Sequence, residues 1–436
     1  MKPVNIGILG LGTVGRGTAE VLRANAAEIS RRLGRAVNVF MVSTRDEAKA
    51  RVACPPETLI TADPFEVVRH PEVDIVAEVF GGTEAAKELV LEAIRHGKHV
   101  VTANKKLLAE YGSEVFALAE EKNVMVQFEA AVAGGIPIIK ALREGLSANR
   151  IRSIAGIING TSNFILSEMR EKGSAFADVL KEAQALGYAE ADPTFDIEGN
   201  DAGHKITIMS SLAFGTPMNF PACYLEGISK LDSRDIKYAE ELGYRIKLLG
   251  ITRKTDKGIE LRVHPTLIPE SRLLANVNGV MNAVRVNADM VGETLYYGAG
   301  AGALPTASAV VADIIDIARL IEADTDHRVP HLAFQPAQVQ AQTILPMDEI
   351  TSSYYLRVQA KDEPGTLGQI AALLAKENVS IEALIQKGVI DQTTAEIVIL
   401  THSTVEKNIK RAIAAIEALS CVEKPITMIR MESLHD

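Results

Sequence analysis

MKPVNIGILGLGTVGRG, residues 1–17, decides the fold. An apolar run from Val4 to Leu9 leads into Gly10-Leu11-Gly12-Thr13-Val14-Gly15. A stripe of Leu22, Ala26, Ile29 and Leu33 at helical spacing follows, until Gly34 ends it. The order is strand, glycine turn, helix. Each glycine has a physical reason: Gly10 permits the tight turn, Gly12 lets the backbone approach a pyrophosphate, and Gly15 lets helix and strand pack closely. The helix start then offers free N–H groups and a partial positive charge to phosphates. The stretch therefore predicts a dinucleotide site.

Outward from it, strands predicted at 37–42, 74–80, 99–103 and 124–128 alternate with helices at 84–96 and 107–122. Such alternation builds a parallel sheet with helices on both faces, and ligands gather outside the carboxyl ends of the strands. Those ends are Gly10, Ser43, Gly81 (with Thr83 just beyond) and Asn104. After the second strand, Arg45 is placed to meet a ribose 2′-phosphate, and no acidic residue stands directly at that end. The reading leans to NADP(H), while Asp46 keeps NAD(H) open.

The expected class is α/β with three domains. Residues 1–130 form a Rossmann-type nucleotide-binding domain, completed by about 300–325 through Gly298–Gly302 and an apolar helix at 307–321. Residues 131–299 form an α+β catalytic and dimerisation domain, 326–352 a linker rich in Gln, Pro and Thr, and 353–436 a βαββαβ, ferredoxin-like domain.

Composition narrows the function. A net charge of -10 and the absence of basic clusters interleaved with aromatics argue against nucleic acid. No stretch reaches the ~18 apolar residues of a membrane span. The start reads as mature fold rather than a secretion signal, and Cys54, Cys223 and Cys421 lack metal-site spacing, which suits the cytoplasm.

Three places carry candidate chemistry. Glu190, Asp192, Asp196, Glu198 and Asp201 crowd twelve residues just ahead of His204 and Lys205. One reading is a solvated acidic loop; a calcium loop fails because Ile197 stands where glycine is required. The other reading is an amine-binding and proton-transfer site, with Asp201 and Lys205 four apart on one helix face. Lys105 opens a helix at a strand end, an electrostatically poor place for a cation unless an anionic or carbonyl ligand faces it. Glu129 and the glycine turn at 132–136 could offer oxygens to a hard cation, although on the residues alone a simple strand-to-helix turn is the better explanation. His327 and His331 have zinc-protease spacing, but Pro330 breaks the helix that spacing needs.

The segments ILGLGTVGRG, VVTANKK, EAAVAGGIPIIKAL, GIINGTSNFIL, GYAEADPTFDIEGNDAGHK and GAGAGALPTASAV, in this order, resemble the homoserine dehydrogenase family over nearly the whole chain. The tail resembles an ACT domain, which in related proteins senses a small ligand. The resemblance implies NAD(P)-linked interconversion of L-aspartate 4-semialdehyde and L-homoserine, on the route to threonine and methionine. It makes Lys205 the proton-transfer lysine, with Asp201 beside it and Lys105 near cofactor and substrate. Glu190, Asp196, Asp201, Thr161 and Tyr188 would hold the substrate. Gly300 would lie near the cofactor, and Glu129 with the carbonyls of Val132, Gly134 and Ile136 would bind a monovalent cation, Na+ or K+. It further implies a homo-oligomer (dimer or tetramer) and threonine inhibition through the tail, so that removing residues after about 353 would spare activity and abolish inhibition. The alternatives are a dinucleotide-binding amino-acid sensor without catalysis and another amino-acid dehydrogenase.

Overall fold

The structure, a computed structural model, describes residues 2–324, 327–391 and 394–434. The chain forms two compact units, one from 1–154, 204–221 and 281–342, the other from 155–203, 222–280 and 343–436.

The first unit opens with β1 (Val4–Leu9), α1 (Thr13–Ala24), α2 (Ala26–Leu33), β2 (Val37–Ser43), α3 (Glu47–Ala53), β3 (Leu59–Thr61), α4 (Pro64–Arg69), β4 (Ile75–Glu78), α5 (Glu84–Arg95), β5 (His99–Thr102), α6 (Lys105–Glu121) and β6 (Val126–Gln127). All six strands are parallel, in the order β3-β2-β1-β4-β5-β6. The order reverses between β1 and β4, which makes that crevice the switch point where ligands bind. The central strands β1, β4 and β5 are buried on both faces, as a doubly covered sheet requires, while the edge strand β3 is partly exposed.

The single helix predicted up to Gly34 is two. Asn25 leaves helical geometry (φ -106°, ψ 17°), and the stripe continues because Ile29 and Leu33 still face the core. The strand predicted at 124–128 shrinks to Val126–Gln127, since Val124 pairs back to Ala119 at the end of α6. The helix Ala303–Leu320 packs its apolar face (Val310, Ile314, Ile317) into the core built on Val4, Ile6 and Ile8. It approaches α1 so closely that a Cβ on Gly17 would sit 2.7 Å from the Ala303 carbonyl oxygen.

In the second unit, six strands run in the order Tyr244–Thr255, Gly258–Pro269, Val422–Met431, Thr351–Lys361, Thr394–Thr401 and Ile381–Asp391. The last four, with helices Thr366–Lys376 and Glu406–Glu417, make the expected ferredoxin-like order. Side chains of Thr351–Lys361 alternate between faces. Tyr354, Leu356, Val358 and Ala360 face the two helices. Tyr355 and Arg357 point to the other face, where Asp235 of helix Ser233–Glu241 accepts from the Tyr355 hydroxyl at 3.0 Å and from Arg357 at 2.6 and 3.0 Å.

These contacts correct one expectation. Removing residues after about 353 would strip a strand partner from Gly258–Pro269 and leave the fully buried Asp235 without its guanidinium. An orphaned buried charge costs several kcal/mol, so an activity-sparing truncation is not compatible with this packing. Nor is the stretch before it slack. In the first unit, the Gln340 N–H donates to Gly215 and the Gln342 amide to Phe214. In the second, Ile259 and the 343–345 segment exchange main-chain hydrogen bonds.

His99 is a buried acceptor: its Nδ1 takes the Met125 N–H at 2.9 Å. Burial, with Arg328 nearby, lowers its pKa from 6.5 to about 4. The unfolded chain therefore takes up the extra proton first, and stability present above pH 6.5 is lost as pH falls through 4. His99→Asn keeps an acceptor and removes the titration. Thermal melts of this variant should show a shallower loss between those pH values than wild type; parallel curves would refute the assignment.

Candidate functional site

In the first unit the glycine turn has the geometry its sequence implies. Gly10 is left-handed (φ 88°), and a Cβ on Gly15 would overlap the Gly10 carbonyl oxygen. A Cβ on Gly12 would meet nothing within 4 Å, so the start of α1 lies open to a ligand. Leu11 turns its side chain into the core and leaves its main chain at the turn, while Thr13 and Val14 begin the helix. A dinucleotide phosphate fits this turn.

At the end of β2, Arg45 is exposed. Asp46 is engaged elsewhere: it caps α3 by accepting the Lys49 N–H at 3.1 Å and pairs with the Lys49 ammonium at 2.9 Å. The Ser43 hydroxyl is buried with no partner among the described residues.

The β4 and β5 ends are tied together. Glu78, fully buried, accepts from the Thr102 hydroxyl at 2.6 Å and the Phe80 N–H at 3.1 Å, and burial pushes its carboxyl upward. Asn104 caps α6 through the Leu107 N–H and donates its amide to the Gly82 carbonyl at 2.7 Å. Thr83 and the half-buried Lys105 therefore start α5 and α6 from loops fixed to each other.

The turn proposed for a cation is also in this unit. Both Glu129 carboxylate oxygens accept main-chain N–H groups, from Ile139 and Lys140 at 2.8 Å each. Its own N–H donates to Asp313 at 2.8 Å. Burial raises the Glu129 pKa to about 7, and burial with Glu129 nearby raises Asp313 as well. Ala133 and Gly134 are both left-handed (φ 55° and 46°), and a Cβ on Gly134 would lie 2.6 Å from the Gly300 carbonyl oxygen. Gly300 in turn rests on Asn282, leaving no room for any side chain. The Ile136 carbonyl accepts the Ile138 N–H at 2.8 Å, and Val132 is buried. No group of three or more His, Cys, Asp and Glu suited to a metal occurs among the described residues. A buried carboxyl short of positive charge, beside a turn rich in carbonyls, fits a hard monovalent cation better than a transition metal.

The second unit gathers the acidic segment. Asn159 caps the helix Gly160–Lys172 by accepting the Ser162 N–H, and its amide donates to Asp196 at 2.8 Å and Asp201 at 2.9 Å. The Ser162 hydroxyl donates to the Asp196 carbonyl at 3.0 Å. Thr161 donates to the Tyr188 carbonyl at 2.7 Å, and the exposed Tyr188 ring packs edge-on against Phe164. Glu190 is exposed, its main chain held by the Gln184 amide. Asp201 lies in the first turn of the helix Asn200–Phe214; the buried Lys205, one turn further along the same helix, already belongs to the first unit.

Residues 10–129 match the homoserine dehydrogenase NAD-binding domain, 137–315 homoserine dehydrogenase itself, and 354–421 the ACT domain. The chain is 86% identical to a homoserine dehydrogenase of Neisseria gonorrhoeae and 59% identical to one of Pseudomonas aeruginosa, over the full length of each. A crystal structure of a homoserine dehydrogenase from Thiobacillus denitrificans, 62% identical, superposes with a TM-score of 0.95 and covers 100% of this chain and 99% of that one. A hyperthermophilic archaeal homoserine dehydrogenase in complex with NADPH, 32% identical, gives 0.63 over 74% of this chain and all of its own.

The chain belongs to the homoserine dehydrogenase family.

As a homoserine dehydrogenase it is an oxidoreductase with a dinucleotide-binding domain and a C-terminal ACT domain. Sequence reading passed over Asn159, Glu78 and Asp313. Each left a trace: an Asn just before a helix, and a lone acid in an apolar strand or helix. Their partners, 24 to 184 residues away, were not visible in the local pattern.

Gly15→Ala would push a methyl group onto the Gly10 carbonyl and open the turn. NADPH fluorescence titration should show affinity weakened at least about tenfold, while the thermal midpoint of the second unit is retained. Unchanged affinity would mean that this turn does not hold the cofactor.

Proposed function

We propose that the chain catalyses the reversible reduction of L-aspartate 4-semialdehyde to L-homoserine, on the route to threonine and methionine, with NADP(H) as the preferred cofactor. The observation that carries this reading is the pair Asp196 and Asp201 on one Asn159 amide, at the start of the helix that bears Lys205. Paired carboxylates suit the α-ammonium of an amino acid, with Glu190 as a further acid toward it. Thr161 and Tyr188 would line the same pocket.

The nicotinamide, when bound, supplies or accepts the hydride. Lys205 stabilises the negative charge that grows on the aldehyde oxygen, donates its proton there, and takes it back in the reverse direction. Asp201, one turn earlier, orients that ammonium, and Lys105 adds positive charge beside cofactor and substrate. Alignment accounts for the rest. Lys205→Ala should lower turnover by roughly 10²–10⁴-fold while NADP(H) binding survives. Equal loss of both would sink the role.

NADP(H) is favoured because Asp46 is committed to the cap of α3, which leaves Arg45 as the charged group at the end of β2. Arg45→Ala should raise the KM for NADP roughly tenfold or more and leave that for NAD alone, since a hydrogen bond to a charged group is worth about 1.5–3 kcal/mol. Equal effects on both cofactors would refute it.

The proposal extends to the cation, to regulation and to assembly. Glu129 and the carbonyls of Val132, Gly134 and Ile136 would hold Na+ or K+. Threonine would inhibit through the ACT domain, tested on the full chain. The exposed Met290, Val291 and Tyr297 on the hairpin of strands Met281–Ala288 and Gly292–Ala299 support self-association, as a dimer or tetramer. No described helix is long and apolar enough to cross a membrane; a cytoplasmic location is part of the proposal.

A further inference from the structure

Arg430, on the strand Val422–Met431, is 1% exposed and holds two parts of the second unit at once. On one side it grips Glu406 of the helix Glu406–Glu417, through Nε at 2.9 Å and Nη2 at 2.5 Å. Tyr354 also donates to that carboxylate, at 3.0 Å. On the other side Nη1 donates to Glu226 Oε2 at 2.7 Å and Nη2 to the Tyr224 hydroxyl at 3.1 Å. Tyr224 itself donates to the same Glu226 oxygen at 2.7 Å, and its ring centroid lies 5.0 Å from the guanidinium carbon.

The segment fixed in this way lies against the acidic loop. The Ile228 N–H donates to the Ile197 carbonyl at 2.8 Å, and the Glu226 N–H to Val263 at 2.9 Å. A Cβ on Gly227 would overlap the Ile197 carbonyl and the Glu198 carboxylate, so the two segments pass with no room for a side chain at 227. Gly199, left-handed at φ 85°, would place a Cβ 3.0 Å from Val263. Residues 197–199 therefore have little freedom while 226–228 stays put. Asp196 precedes them and Asp201 follows, both on the Asn159 amide.

We propose that Arg430 is a positioning residue for the substrate loop: by locking Glu226 it fixes residues 196–201 and sets the affinity for the amino-acid substrate. The proposal rests on the assignment of that loop to the substrate ammonium. It also makes the ACT portion of the chain a structural determinant of the site through one side chain. The guanidinium fork is what allows the bridge, because a lysine ammonium keeps the charge beside Glu406 but cannot span both carboxylates.

The test is steady-state kinetics of homoserine oxidation by full-length Arg430→Lys, Glu226→Gln, the double variant and Arg357→Lys. Arg357→Lys is the control, because Arg357 pairs with Asp235 and Glu396 and touches neither Glu226 nor Tyr224. In Arg430→Lys and Glu226→Gln the KM for homoserine should rise on the order of three- to thirtyfold, with kcat and the KM for NADP within about twofold. The double variant should go no further than the stronger single one, since both break the same link. Arg357→Lys should leave the KM for homoserine unchanged. An equal rise in Arg357→Lys, an unchanged KM in Arg430→Lys, or additivity in the double variant would overturn the proposal.

Should Arg430→Lys fail to fold, Glu226→Gln carries the test alone, since that carboxylate is one-third exposed. Hydrogen exchange of its amides at 197–201 should quicken, and unchanged protection would refute the link. If wild-type enzyme does not oxidise homoserine, the functional reading fails instead, and the exchange measurement still decides whether Arg430 and Glu226 lock the loop.

Discussion

One amide orders the acidic site. Two carboxylates brought together out of bulk water repel each other unless donors stand between them. Asn159 supplies both N–H bonds from its Nδ2, and its Oδ1 is already committed to the cap of the helix Gly160–Lys172. The cap therefore determines which way the amide points. An Asp at 159 would cap as well and add a third negative charge; a Ser would cap without reaching both acids. Local helix chemistry and the electrostatics of the site are thus settled by the same side chain, which is why a small change there reaches Asp196 and Asp201 together.

The C-terminal sheet illustrates a different use of charge. Arg357 with Asp235, and Arg430 with Glu406, are ion pairs buried almost completely. Such pairs add little net stability compared with apolar packing, but breaking one is costly. They therefore select one docking geometry against alternatives. Asp235 must meet Arg357, and Arg430 must meet Glu406, for these buried charges to be tolerated. A sensing domain on a loose tether would not require this. Here the ferredoxin-like portion shares a sheet with Gly258–Pro269, and its position is specified at both faces.

The sequence displayed most of this fold because its signals were local. Gly10, Gly12 and Gly15 announce a turn whose steric reason is the Gly10 carbonyl, five residues away at most. The βαββαβ order at the C-terminus follows from period-2 and period-3.6 patterns, each contained within about a dozen residues. What escaped was set by distant neighbours. Nothing around Asn25 marks a break, since the apolar stripe runs straight through it. The Gln- and Pro-rich run after Pro330 looked like a tether because its partners, Gly215 and Ile259, are more than 80 residues away. The motifs located the acidic segment, but its organising amide lies 37 residues before Asp196.

Glu129 and Asp313 carry the electrostatic logic to its limit. Both carboxyls are buried, Glu129 helps to raise Asp313, and the main-chain donors of Ile139 and Lys140 do not offset the loss of water, which pushes Glu129 up to about 7. Lys140 is drawn away to Asp316, and Arg143 lowers both acids without hydrogen-bonding to either. Beside these acids runs a turn with left-handed backbone at Ala133 and Gly134. Such strain is retained where something outweighs it. A monovalent cation would favour the ionised carboxylates and repay the unusual backbone together, with no need for a second acidic ligand. The same turn abuts Gly300 so closely that neither backbone can shift without the other.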